Sequence, residues 1–449
     1  IIPTTYNLFE EKMPDTYRKS FLSLANWKYR LVFWCGAIFI GILISGMTLL
    51  SEQAAAFYRT LSLQYPWFNF IIAPLGLAFT SWLTVRFFAG SQGSGIPQVK
   101  IALENSEEQI NPKTLVSLRI AIGKTILPIM GLLSGASVGF GGPAVHVGAS
   151  FMASLGKAVK FPPHYMEKGL ILAGSAAGFA AMFSAPLAGI IFAIEEMGRA
   201  LEEKISSLVL TAIIFSGVTA YALLNNYIFF NDKSFIMPWG ESWLAIPLCG
   251  IVGGVLGGVF SKIVIRGGRF LKRTGLNIVV IAFVSGGFIA IIGYYSNGDS
   301  FGTGYSQAKA ILTNSETMDP LFPLYKMFAT CATFFSGIPS GIFVPSIATG
   351  AGFGVNLAHW FPVAPASAMI LLTMTAYFSG MLQSPLTSFV IVMEMTGSHE
   401  ILIPLMATAF FATGTSKLIN SVPLYRALCN SYIPPKKEQK ADEKLTDEN

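Results

Sequence analysis

Charge is scarce in this 449-residue chain. Only 12% of its residues are Asp, Glu, Lys or Arg, against about 25% in an ordinary soluble domain. That scarcity excludes a conventional soluble fold. Cysteine and histidine are rarer still, with four of each. Cys35, Cys249, Cys331 and Cys429 are scattered and form no CxxC, which excludes a disulfide framework or a cysteine metal site. The histidines have no ligand spacing, so no metal and no cofactor is expected. The net charge of +6 is modest, and no nucleic-acid partner is read into it. A serine hydrolase would need a Ser–His or Ser–Lys pair. Ser94 has no evident partner and Ser134-Gly135 has no motif around it, so the chain is not read as an enzyme. The start carries no cleavable signal pattern.

Apolar residues are abundant, at 53%, and mean hydropathy is +0.58. Charge-poor stretches cover 31–50, 68–85, 205–228, 243–260, 278–295, 366–392 and 401–415. A spanning helix needs about 20 apolar residues. The expected fold is therefore an all-α polytopic protein of the lipid bilayer. The 44 Gly and 24 Pro fit tilted, closely packed and broken helices better than a plain bundle. Basic residues gather in four short flanks: Lys12, Arg18, Lys19, Lys28 and Arg30; Arg199 and Lys204; Lys262, Arg266, Arg269, Lys272 and Arg273; and Lys436, Lys437, Lys440 and Lys444. The positive-inside rule makes these flanks and both termini cytoplasmic, as in a multi-pass protein of the plasma (inner) membrane.

The chain repeats itself. Gly139-Phe140-Gly141-Gly142-Pro143 returns 202 residues later (341 − 139) as Gly341-Ile342-Phe343-Val344-Pro345. Each block precedes a Pro-Leu-x7-Glu segment, Pro186-Leu187 to Glu195 and Pro385-Leu386 to Glu394. The polar stretch around Asn225, Asn231 and Pro238 separates two halves. The expected organisation is a cytoplasmic segment 1–30, a membrane half 31–228, an extracellular linker 229–242, a second half 243–433 and a cytoplasmic tail 434–449. If the first half starts inside, the second starts outside, which makes an inverted-topology repeat.

The Gly-x-x-x-Pro blocks read as helix starts. Glycine permits a tight turn and close approach of an ion. Proline suits the first helical turn, where its missing N–H costs nothing. The free amides and the positive dipole end then face an anion without trapping it on a full charge. One such block is equally well a packing glycine with a kinking proline; two at matched offsets favour the anion reading. Gly93-Ser94-Gly95-Ile96-Pro97 is a third turn of this type, with a hydroxyl donor.

These three blocks, in this order, resemble the signature motifs of the CLC chloride channel and transporter family, in its prokaryotic type without CBS domains. The segments Ala185-Pro186-Leu187-Ala188-Gly189 to Glu196 and Pro385-Leu386 to Glu394-Met395-Thr396 are similar as well, and the likeness runs from about the first span to Pro423-Leu424-Tyr425. The resemblance implies a homodimer with one anion pathway per subunit. It implies that Ser94 and Tyr425 hold a chloride from the inner side, that the amides of Ile342 and Phe343 meet the same ion, and that the amides of Gly139, Phe140, Gly141 and Gly142 form an outer site. Serine at 94 favours chloride; other monovalent anions and protons are further candidate solutes.

The chain departs from that family at its gate. The family pattern is Gly-Arg-Glu-Gly-Pro, with the glutamate as external gate and proton carrier. Here Phe140 and Gly141 replace the Arg-Glu pair, whether naturally or by design. Glu196 matches the internal proton-transfer glutamate of the antiporters, although a helix-end charge near Arg199 is the plainer reading. The expected function is passive chloride transport; the alternative is a chloride/proton antiporter coupled through Glu196, with His146 as a substitute carrier. Glu195 and Glu394 are expected to be a structural pair. Gln98 stands where many members have glutamate. Lys100 is a candidate partner for Glu196, Lys124 either raises the local positive potential or snorkels, and His146 reads first as a satisfied helix histidine.

Overall fold

The computed structural model describes residues 24–104, 115–160, 165–197, 207–224, 237–314, 319–430 and 432. The basic flanks at Lys12 to Lys19, Arg199, Lys204 and the tail, most of the 229–242 linker, and segments 1–23 and 434–449 lie outside the described residues. Among the described residues the chain is helical, without a strand.

The first half runs α1 (Leu24–Gln64), α2 (Asn69–Phe87), α3 (Ile96–Glu104), α4 (Leu118–Leu132), α5 (Gly141–Ala158), α6 (Tyr165–Phe183), α7 (Pro186–Phe192) and α8 (Ser207–Leu224). The second runs α9 (Ala245–Thr274), α10 (Ile278–Tyr295), α11 (Tyr305–Asn314), α12 (Phe322–Phe335), α13 (Phe343–Trp360), α14 (Ala366–Leu382), α15 (Pro385–Thr396) and α16 (Leu402–Ile419); a short α17 (Leu424–Cys429) closes the chain. Helix for helix, α2–α8 and α10–α16 are the same series, an inverted repeat of long spans and short broken helices. Among the described residues, six helices are long and apolar enough to cross a membrane.

The apolar stretch 366–392 is two helices, not one. Gln383 adopts a left-handed conformation at φ 59° and ends α14, and Pro385 opens α15 in the first turn, where its missing N–H is harmless. The first span is longer than its apolar stretch, since α1 has 41 residues.

Apolar helices gain little from burial against one another in lipid, so small residues let them approach closely. At the α5–α6 crossing a Cβ on Gly148 would lie 2.1 Å from the Gly174 carbonyl oxygen, and one on Gly174 would lie 2.2 Å from that of Gly148. Two isolated backbone bridges mark the centre of the molecule, Gly139 with Gly341 and Gly93 with Pro339. They join the helix starts that the sequence singles out.

Candidate anion site at the meeting of broken helices

Phe140 and Ile342 occupy equivalent cap positions before α5 and α13. The helical ladders begin at Ala144 N–H to Phe140 O, 2.8 Å, and Ser346 N–H to Ile342 O, 3.1 Å. The amides just before them stand outside the ladder, as at any helix start. The two turns are tied directly: Gly139 N–H donates to Gly341 O and Gly341 N–H to Gly139 O, both at 2.8 Å. Two helix N-termini thus converge on one small region, an arrangement suited to negative charge.

The third turn joins them. Gly93 and Gly95 have φ of +65° and +100°, open to glycine and costly for other residues. Gly93 accepts from Ser340 N at 3.1 Å and donates to Ile338 O at 3.2 Å. Ser94 Oγ donates to Tyr425 Oη at 3.4 Å. A Cβ on Gly142 would fall 2.1 Å from Ser94 Oγ, so only glycine lets the α5 start touch the serine. Ser94, Gly139, Phe140, Gly141, Gly142, Ile342, Phe343 and Tyr425, far apart in sequence, are therefore neighbours, and all are buried.

Phe343 fills the centre of this group. Its ring is 5.9 Å from that of Tyr425, 5.1 Å from Phe378 and 5.8 Å from Phe179, centroid to centroid. A Cβ at position 141 would lie 2.8 Å from Phe343 Cδ2. Space beside position 141 is therefore taken up in part by this ring.

Lys124 does not snorkel. It is fully buried, donates to the Gly93 carbonyl, and lies 3.5 Å from that of Gln92. It brings an amine donor beside the serine turn and pins that turn in place. Its repeat mate is Lys326, again 202 residues on (326 − 124), which donates to the carbonyls of Ser300, Phe301 and Gly302 at 3.0, 3.1 and 2.8 Å. The turn that Lys326 holds, Gly302-Thr303-Gly304, is the second half's copy of Gly93-Ser94-Gly95. There the hydroxyl of Thr303 donates to Glu52 Oε1 at 2.7 Å. Sequence reasoning missed Lys326 and Thr303; the 202-residue offset applied to Lys124 finds the first.

Glu196 sits in a π-helical turn, Ala193–Met197, that follows α7. This extra-wide turn points two adjacent carboxylates to different partners. Glu196 Oε1 pairs with Lys100 Nζ at 2.7 Å and Oε2 accepts from Ser384 Oγ at 2.7 Å, so both oxygens carry a donor in a buried setting. Glu195 accepts from the amides of Leu386 and Thr387 at 3.1 and 2.7 Å, capping α15. Glu394 does the same for α7, at Leu187 N (3.1 Å) and Ala188 N (2.6 Å). Each half thus supplies the cap for the other half's broken helix.

His146 is buried on α5 with Nε2 2.7 Å from the Leu115 carbonyl. A carbonyl only accepts, so this nitrogen carries the proton. Gln98 donates to the Gln92 carbonyl at 2.8 Å. No cluster of metal-ligating residues occurs among the described residues.

Comparison with known proteins agrees with this geometry. The family model for voltage gated chloride channels matches residues 76–417. The H(+)/Cl(-) exchange transporters ClcA of Yersinia pestis bv. Antiqua (strain Angola) and of Yersinia pseudotuberculosis serotype O:3 (strain YPIII) are each 28% identical over 392 residues, covering 83% of this chain and 79% of the relative. A slow cyanobacterial Cl-/H+ antiporter has the same fold, with a TM-score of 0.80 at 22% identity, covering 91% of this chain and 98% of that one. A CLC-type fluoride/proton antiporter follows at 0.74 and 23% identity, covering 90% and 99%. The match over most of the chain, with three glycine turns converging as the motifs require, makes this chain a member of the voltage-gated chloride channel (CLC) family.

Proposed function

We propose that this protein moves chloride passively across the membrane, without proton coupling. The observation that carries this reading is Gly141. Where the family has a carboxylate, this chain has no side chain at all, and the aromatic ring of Phe343 stands against that position. A glycine binds no proton and cannot compete with an anion. Chloride would be met by Ser94 and Tyr425 on the inner side and by the amides of Ile342 and Phe343. The amides of Gly139, Phe140, Gly141 and Gly142 would hold it on the outer side. The dipole ends supply positive potential, and other monovalent anions would use the same donors.

The state of Glu196 supports the same reading. Any proton arriving there competes with Lys100 for Oε1 and with Ser384 for Oε2. From Glu196 onward, Gly141 offers no second station. Glu196 nevertheless remains buried beside the inner turn, and relatives are named as exchangers. These facts favour one alternative, a chloride/proton antiporter that couples through Glu196.

Reconstitution into vesicles under an imposed chloride gradient tests the two. Chloride flux with no accompanying pH change is the expected result; uphill proton movement overturns the passive reading in favour of antiport. The same reading takes the assembly as a homodimer with one pathway per subunit. It also places both termini on the cytoplasmic side of the plasma membrane, because Lys262, Arg266, Arg269, Lys272 and Arg273 crowd the C-terminal part of α9.

A further inference from the structure

A cavity of 510 Å³ opens beside the inner turn, at the basic end of α9. The exposed Arg269 and Lys272 line it, the Lys272 amine 5.8 Å from the centroid of the Tyr432 ring, and much of the remaining wall is apolar, with Ile281, Phe334 and Phe335 among the lining residues. A second, almost wholly apolar groove runs along α10 and α12 between Val284, Phe288 and Phe328. The two share Leu271, Leu276, Ile281 and Phe335, so the cavity and the groove adjoin. The cavity also touches the two elements that carry Ser94 and Tyr425. Gln92 and Gly93 belong to the turn that carries Ser94, and Ala427 and Leu428 belong to α17, which carries Tyr425.

An apolar groove adjoining a cavity lined by two basic side chains matches an amphiphile with an anionic head. Basic residues at this depth attract anionic lipid headgroups, and the groove is lined by side chains that otherwise meet acyl chains in any case. We infer that this cavity binds one anionic glycerophospholipid per protomer, its phosphate at Arg269 and Lys272 and one acyl chain along α10 and α12. The bound lipid braces the Ser94 turn against α17 and so supports the conducting form of the inner constriction.

The cavity can be filled or discharged without touching the anion site. Gly268 lines it, and a Cβ there meets nothing within 4 Å, so Gly268→Trp enters the cavity from its open wall. Arg269→Gln with Lys272→Gln removes the head contacts. The full-length protein, purified in mild detergent, is incubated with dioleoyl phosphatidylglycerol or dioleoyl phosphatidylcholine and read by native mass spectrometry. Chloride efflux is measured from vesicles of each lipid. The expected result is one retained phosphatidylglycerol per protomer. Its affinity falls roughly thirtyfold in the double-glutamine variant, from about 1 kcal/mol of lipid attraction per basic residue, and its retention is lost in Gly268→Trp. Efflux is faster in phosphatidylglycerol vesicles for the unaltered protein only. A thermal melt in detergent confirms that each variant is folded. Equal retention of the two lipids, retention unchanged in both variants, or no retained lipid at all overturns the inference. Competition by glycerol 1-phosphate as strong as by the intact lipid would also overturn it, since the groove would then play no part.

Discussion

Gly139 and Gly341 exchange two backbone hydrogen bonds of 2.8 Å, one in each direction, across the centre of the molecule. They are repeat equivalents, so the pairing lies where the two halves meet about their pseudo-symmetry. Neither position has room for a Cβ: at 139 it would lie 2.7 Å from Pro345 Cδ, and at 341 it would lie 2.5 Å from the Gly139 carbonyl oxygen. Gly341→Ala is therefore expected to push the two turns apart at a cost of about 1–3 kcal/mol for overpacking. The melting temperature in detergent should drop, and chloride affinity should fall with it. Affinity falling without loss of stability would also fit the pair as a spacer for the site; an unchanged value for both would not.

Restoring the carboxylate is the sharpest functional test. Gly141→Glu should slow chloride flux at least about tenfold, equivalent to ~1.4 kcal/mol on the barrier, because an anionic side chain then competes for the outer site. The new side chain must displace the Phe343 ring, so Gly141→Glu with Phe343→Ala should fold better than Gly141→Glu alone. Flux and internal pH are followed together in vesicles. If the proton route from Glu196 is intact, chloride movement in Gly141→Glu drives protons.

The Lys100–Glu196 pair is buried, which sets the form of its test. Removing one member leaves an uncompensated charge away from water, at a typical cost of 3–5 kcal/mol, whereas replacing both can be near neutral (order-of-magnitude values). Lys100→Met and Glu196→Gln should each lower the melting temperature clearly, and the double variant should recover most of the loss. Additive losses would mean that the two side chains do not act as a pair.

At the inner constriction, Ser94→Ala and Tyr425→Phe each delete one hydroxyl. A typical hydrogen bond contributes about 1 kcal/mol net, so chloride binding measured calorimetrically should weaken roughly fivefold for each. Binding should not disappear, because the backbone donors of Ile342 and Phe343 remain. Complete loss on removing either hydroxyl would place the ion on side chains and not on amides.

The buried lysines should behave unequally although they are repeat mates. Lys124→Met releases the turn that holds Ser94, so it should reduce chloride affinity as well as stability. Lys326→Met releases Gly302-Thr303-Gly304, whose hydroxyl is already engaged by Glu52, so it should reduce stability alone. Calorimetric titration and thermal melting of the two variants separate these outcomes.

The fold was readable from the chain because its signals are long. Charge-poor stretches, glycine turns at a fixed offset and matched Pro-Leu-x7-Glu segments are each visible without contacts. The turns at 93, 139 and 341 announced helix starts through glycine and proline chemistry, and the structure brings them together. What the chain could not display was pairing between side chains. In the sequence Lys100 is no more than a candidate partner for Glu196, and Lys124 is as ready to reach water as to turn inward. Its burial depends on the carbonyls of Gln92 and Gly93 presenting themselves in a glycine turn of positive φ, a matter of backbone direction that residue type does not encode. Phe343 likewise read as one amide donor; that its ring occupies the space beside Gly141 follows only from the approach of α13 to α5.

The exchange of caps between Glu195 and Glu394 also sets a clock on synthesis. The amide of Leu187 must wait for a carboxylate 207 residues downstream. At 5–20 residues per second a ribosome needs roughly 10–40 s to supply it. Through that interval the amides at the start of α7 lack the carboxylate that caps them in the folded chain. A nascent chain arrested at the polar midpoint would carry this open helix end permanently. The two halves of the ancestral duplication are thus committed to each other during birth of every molecule, before any ion has crossed.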